Sequence, residues 1–147
     1  MNGQTLELYT DIHRGAKMSI AGLDMLIRAS SDEAYKNYLV HKQNRYKQIA
    51  AKAGQSLQEY SEFAEGDPGV IPLLATQTTA SLTSLMGQAR QEEPTRVMLG
   101  SFRSSSQDLA DSMQKNADAA LSARNLAFSL LELQQNDLYN FSAGIRQ

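Results

Sequence analysis

The stretch "SLLELQQNDLYNF", Ser129 to Phe141, decides what kind of helical assembly this chain builds. Leu130, Leu138 and Phe141 recur at helical spacing, while Glu132 and Gln135 stand three apart. That is the spacing at which bundle proteins place a carboxylate and a histidine to hold iron, but here a glutamine stands in the histidine's position. At ~100° per residue the chemistry-bearing side can be tested against the apolar side. The apolar face of this helix is set by Ala123, Leu126, Ala127, Leu130, Leu138, Phe141 and Ile145. Glu132 falls roughly opposite its centre and Gln135 lies toward the side, so that pair points mostly to solvent. The polar residues that face inward are Gln134 and Asp137.

Working outward, nearly all of the chain reads as helix, because apolar residues recur at three and four with no sustained alternation. One helix is expected from about Thr5 to Arg28, with Leu8, Ile12, Ala16, Ser19, Leu23 and Leu26/Ile27 on one face. "SSDE" reads as a capping box, Ser30 capping and Glu33 reaching back. A second helix follows from about Asp32 to Ala64, its stripe formed by Tyr35, Leu39, Tyr46, Ile49, Ala53, Leu57, Tyr60 and Ala64. The near-heptad spacing predicts that these two pack as a long antiparallel hairpin.

"EGDPGVIP", Glu65 to Pro72, breaks the chain, and a shorter Thr- and Ser-rich helix is expected over about Ile71 to Met86. After "GQARQEEP", Glu92, Glu93 and Pro94 form a helix start, with acids at the positive end of the dipole and Pro in the first turn. That helix runs to about Lys115 with Met98, Phe102, Ser105, Leu109 and Met113 on its face; Asn116 marks a turn, and the last helix covers about Asp118 to Ala143. The expected architecture is a single all-α domain over residues 1–147: a four-helix bundle of two long antiparallel hairpins joined by a shorter crossover helix, the ferritin-like topology. A five-helix bundle without that topology is the alternative.

Composition agrees with a folded soluble domain: 147 residues, 41% apolar, 20% charged, net charge −2. No apolar run approaches the ~18 residues that a bilayer span needs. The N-terminal residues carry no basic segment followed by an apolar block, and there is no cysteine, so a cytoplasmic location without disulfides is expected.

The segments "LYTDIHRGAKMSIAGLDMLI", "MLGSFRSSSQDLADSMQKN" and "LAFSLLELQQNDLYNF" resemble a family of small bacterial proteins of unknown function, of the Firmicutes type, with ferritin-like helical bundles. The resemblance implies a bundle fold and raises the question of iron. It carries over no catalytic residue, since Glu followed three later by His occurs nowhere in the sequence.

The other wheels bear on the same question. Lys42 and, near the edge, Arg45 face inward on the second helix; Ser19 sits mid-stripe on the first; Ser105 and Ser106 do so on the helix ending near Lys115, where Asp108 and Asp111 turn away. One inward carboxylate, Asp137, thus faces two cations and several hydroxyls, the wrong charge for a divalent metal. His13 and His41 flank their stripes without a second ligand at i+3 or i+4, so no metal or other cofactor is expected. In an antiparallel bundle Ser19, Lys42, Arg45, Ser105, Ser106, Gln134 and Asp137 fall at one level. They form a candidate polar layer in which Lys42 or Arg45 pairs with Asp137. The plainer reading, preferred for long cations, has both stems lying on the core with their heads in water.

Three further signals are weaker. Helix residues Ala34 to Gln58 hold Lys36, Lys42, Arg45, Lys47 and Lys52 without an acid, but the cations divide between two flanks and the net charge is negative, so nucleic acid is not an expected partner. "GSFRSSS", Gly100 to Ser106, lacks phosphate-loop spacing and reads as a close-packing surface. Leu57 and Phe63 are expected to overhang the bundle and pack on a partner. The expected role is therefore a non-catalytic structural or interaction module that self-associates as a homodimer or other homo-oligomer, with no membrane partner. The alternative is a ferritin-like enzyme or small-ligand carrier that uses the polar layer.

Overall fold

Asn2 starts the first helix, its side-chain oxygen accepting from the Thr5 backbone N–H at 2.7 Å and from the Thr5 hydroxyl at 2.7 Å. In the computed structural model, which describes residues 2–63 and 93–145, this helix is α1, Gly3–Ala29. It is followed by α2 (Glu33–Phe63), α3 (Pro94–Lys115) and α4 (Leu121–Ile145), with no strand among the described residues. The described residues thus form a bundle of four helices. The breaks around Gly66 and Gly87 and the helix expected over about Ile71 to Met86 lie outside the described residues. None of the described helices is long and apolar enough to cross a membrane.

The start of α2 departs from expectation. Asp32, not Ser30, supplies the cap: its Oδ1 accepts from the N–H groups of Ala34 at 2.9 Å and Tyr35 at 3.4 Å. Ser30 closes α1 instead, its N–H donating to the Ile27 carbonyl at 3.4 Å, and Glu33 lies 3.8 Å from Lys36 rather than reaching back. A one-carbon carboxylate directly before the helix reaches the free N–H groups with less chain to order than a serine two residues earlier. For α3 the expected start holds: the Glu93 carboxylate accepts from Thr95 and Arg96 N–H at 3.1 and 3.2 Å, with Pro94 in the first turn.

The helix α4 begins at Leu121, three residues later than about Asp118. Its preceding residue, Ala120, has no side chain that could cap it, and α1 provides the missing groups. Thr5 Oγ1 accepts from Ala120 N–H at 2.8 Å, Gln4 Oε1 accepts from Asp118 N–H at 2.9 Å, and Asn2 Nδ2 donates to the Asp118 carbonyl at 3.2 Å.

Helices α1 and α4 each approach all three of the others, whereas the Cα atoms of α2 and α3 stay more than 8 Å apart. Small buried residues on α1 (Gly15, Ala16, Ser19 and Gly22) make this possible. A Cβ at Gly15 would lie 3.1 Å from Ser105 Oγ and 3.3 Å from a Leu130 methyl, and one at Gly22 would lie 3.1 Å from Met98 Cγ. The core is filled by Leu8, Ile12, Leu23, Leu39, Met98 and Leu130 together with smaller residues. Tyr46 and Phe102 bridge α2 and α3 edge to face, with ring centroids 5.7 Å apart.

Three apolar expectations are corrected. Leu57 is buried in the core instead of overhanging it, and the side chain of Phe63 lies outside the described residues. Tyr35 is exposed, stacked on Tyr38 rather than sunk in the stripe. Gly100 is exposed with nothing within 4 Å of a Cβ there, so the close approach expected of "GSFRSSS" is not made at its glycine, while Ser105 lies 3.1 Å from a Cβ at Gly15.

Candidate functional site

The inward polar residues gather on α4, where Gln134 and Asp137 lie one turn apart and are both buried. Asp137 is 1% exposed. Its Oδ1 accepts from Lys42 Nζ at 3.0 Å and its Oδ2 from the Tyr46 hydroxyl at 2.7 Å. Lys42 and Tyr46 are one turn apart on α2, so a single face of that helix supplies both donors. A carboxylate taken out of water without partners would cost several kcal/mol, and here each oxygen meets a donor, one of them charged. The Lys42 side chain keeps 16% of its exposure, and its ammonium sits 5.6 Å from the centre of the Tyr38 ring. Tyr38 in turn meets Phe141 edge to face, which closes the outer side of the pair with aromatic surface. Burial above all, then the Asp137 charge and the hydrogen bond to it, push the Tyr46 phenol far above its ordinary value of 10.0. The phenol therefore stays protonated and serves as a fixed donor.

Gln134 belongs to a separate cluster. Its Nε2 donates to Ser105 Oγ at 2.9 Å and Ser19 Oγ at 3.2 Å, and Ser19 donates onward to the Gly15 carbonyl at 3.1 Å. Gln134 Oε1 is buried and has no hydrogen-bond partner. The expected single layer is thus two groups: a charged one joining α2 to α4, and an amide–hydroxyl one joining α1, α3 and α4.

Two of the expected members stand apart. Arg45 is exposed, its edge position on the wheel turning it to water. Ser106 is buried but donates to Arg103 of its own helix at 3.1 Å. The preferred reading for Lys42, with its head in water, is corrected by the ion pair to Asp137. Two contributors escaped the sequence reading, Tyr46 and Gly15. As a ring Tyr46 belongs to the core stripe, and its place one turn beyond Lys42 on the same face is the sign in the sequence that its hydroxyl reaches the same level.

Among the described residues no three or more His, Asp or Glu side chains come together in a way that could hold an ion. Asp137 is already engaged by a cation and a hydroxyl. Glu132 and Gln135 are exposed, His41 is exposed, and His13 lies half-buried beside Gly54. Burial first, then Lys17, lowers the His13 pKa below its usual 6.5.

Away from these clusters, a groove of about 360 Å³ opens where α1, α2 and the start of α4 meet, lined by Tyr9, Lys52, Ser56, Ser122, Asn125 and Leu126 among others. Tyr9 and Ser122 share a hydrogen bond of 2.8 Å at its edge. The outer face of α4, opposite its buried side, carries three large apolar side chains: Leu121 at 62%, Phe128 at 60% and Tyr139 at 75% exposure. No family model, no curated protein and no solved structure matches this chain.

Proposed function

We propose that this chain is a non-catalytic structural or interaction protein of the cytoplasm that self-associates. The observation that carries the reading is the outer face of α4. A helix with one face in the core and large apolar residues on the opposite face has a second surface to cover, and Leu121, Phe128 and Tyr139 lie there within about 20° of one another on the wheel. The interior argues in the same direction, because both oxygens of its buried carboxylate are engaged by internal donors. Light scattering over a concentration series is the test. A mass that rises above that of one chain supports self-association, and the single-chain mass at every concentration overturns it.

The proposed topology is ferritin-like, two antiparallel hairpins with a long crossover, akin to the small Firmicutes-type bundle proteins. Its support is the order of cross-helix pairs. From α1 to α3 they run Glu7–Lys115, Asp11–Ser112, Gly15–Ser105 and Gly22–Met98. From α1 to α2, His13 neighbours Gly54 while the Ile20 carbonyl accepts from Gln43. From α2 to α4 the pairs are Tyr38–Phe141 and Lys42–Asp137. Each set counts up one helix and down the other. The end of α2 then lies at the end of the bundle where α3 finishes, and Pro94 lies at the other end, the length of α3 away, ~33 Å at 1.5 Å per residue.

A second reading, a small-ligand carrier using the mid-bundle cluster, has one observation in its favour: the unpartnered Gln134 Oε1. Thermal-shift screening of wild type against Gln134→Leu tests it; a ligand that stabilises only the wild type favours the carrier.

A further inference from the structure

Phe128 stands between two unlike charges. Arg124 lies one turn before it and Glu132 one turn after it, each four residues away, so the three form one i±4 ridge on the outer face of α4. All three are exposed. The Arg124 Nε donates to the Ala119 carbonyl at 3.0 Å, which steadies its stem. Among the described residues neither Arg124 nor Glu132 has an ion-pair partner. Such a ridge has a particular complement: itself, turned end over end. When two copies of α4 cross in opposite directions at Phe128, Arg124 of each meets Glu132 of the other, twice over, around a pair of facing phenylalanines. A parallel crossing sets like charge against like and is disfavoured.

We infer that α4 is the dimerisation helix, and that the protein forms an isologous dimer about a two-fold axis at Phe128, with Arg124 and Glu132 pairing reciprocally between copies. This rests on the self-association reading above and adds the surface and the symmetry. A two-fold contact uses the same patch on both chains, and the ridge meets that condition because cation and anion stand at equal distances on either side of the aromatic. A strongly acidic or basic partner is not selected, since the ridge holds one charge of each sign. The helix is 25 residues long, ~37 Å, and a contact limited to one helix crossing falls below the ~800 Å² per partner of a standard interface. The dimer is accordingly weak, with a dissociation constant on the order of micromolar to tens of micromolar.

The experiment uses two single variants, Arg124→Glu and Glu132→Arg, each alone and then mixed. Sedimentation equilibrium reads the association constant. Alone, each variant sets two like-charged pairs across the axis, and its association falls about tenfold or more below wild type. Mixed, each chain supplies what the other lacks, and a heterodimer forms within about threefold of wild-type strength. Rescue on mixing cannot come from a damaged fold, which mixing does not repair. If wild type is dimeric and both variants associate as it does, or if mixing fails to rescue them, the α4 surface is overturned while self-association stands. If wild type is a monomer throughout, self-association falls and this surface with it.

Discussion

Asp137 is held by two donors of different kinds, and they contribute to stability differently. Lys42 supplies charge and Tyr46 supplies a fixed hydroxyl from a fully buried ring. Lys42→Met removes the charge and leaves a buried carboxylate with one neutral donor. We expect a loss of about 2–3 kcal/mol in urea unfolding, below the range for a fully buried pair because Lys42 keeps some of its hydration. Tyr46→Phe removes one hydrogen bond to a charged acceptor while preserving the ring against Phe102, with an expected loss of about 1.5–3 kcal/mol at neutral pH. This second variant also has a pH signature. Because burial and Asp137 raise the phenol's pKa in the folded state, the unfolded chain loses that proton first as pH passes 10.0. The unfolded state then binds fewer protons than the native one, so wild-type stability falls with rising pH, at up to about 1.4 kcal/mol per unit from this group. Tyr46→Phe lacks that fall, and the gap between variant and wild type should narrow above pH 10 when unfolding is followed across the alkaline range.

At the scale of the helix, glycines on the same kind of element serve opposite ends. Gly15 faces Ser105 and Leu130 so closely that a methyl group there must displace both, on two different helices. Gly100 has open space in that direction. Gly100→Ala should therefore raise stability by about 0.5–1 kcal/mol through helix propensity alone, whereas Gly15→Ala should lower it despite the same propensity gain; thermal unfolding of the two variants reads the difference in sign. The helices themselves were legible in the sequence because periodicity and local caps are local signals. Glu93 and Pro94 marked the start of α3 to the residue. The capping of α2 and the start of α4 differ from expectation for physical reasons. Asp32 takes the free N–H groups of Ala34 and Tyr35, while the Ser30 hydroxyl, farther from the helix, accepts from the Asp32 N–H at 3.3 Å. The cap of α4 is lent by Thr5, more than a hundred residues away, which no local reading can find.

At the scale of the molecule, the inward or outward sense of most polar residues followed from the wheel: Gln134 and Asp137 inside, Glu132 and Gln135 outside. The wheel gives direction but not reach, which is why it put one polar layer where there are two clusters. Ser19, Ser105 and Gln134 are drawn together by the close approach of α1, and that approach depends on Gly15, a residue whose wheel position carries no polarity. Arg45 lay at the border of the stripe, where a small rotation of the helix decides between core and water. With Asp137 already engaged, the described residues offer no group of metal ligands. Protein purified from medium supplemented with iron and zinc should carry less than about a tenth of an equivalent of either by elemental analysis, since a closed structural or catalytic site retains its metal through purification.

The contacts from Asn2, Gln4 and Thr5 to the turn before α4 bear on the order in which the molecule can assemble. They join residues 113–116 apart in sequence when the Tyr9–Ser122 bond beside them is included. Asn2 and Thr5 bond to each other locally, but their contacts to residues 118 and 120 wait until the chain has grown past that turn. The seam between α1 and the α3–α4 turn is thus a closing step rather than a nucleus, because contacts at such separation form only after the intervening chain has been ordered. Thr5→Val, which keeps the shape and removes the acceptor, should leave α1 helical yet speed hydrogen exchange at the Ala120 amide, and it should raise the unfolding rate more than it lowers the folding rate. The same seam makes residues 2–5 a latch on α4, and therefore on the outer face carrying Leu121, Phe128 and Tyr139.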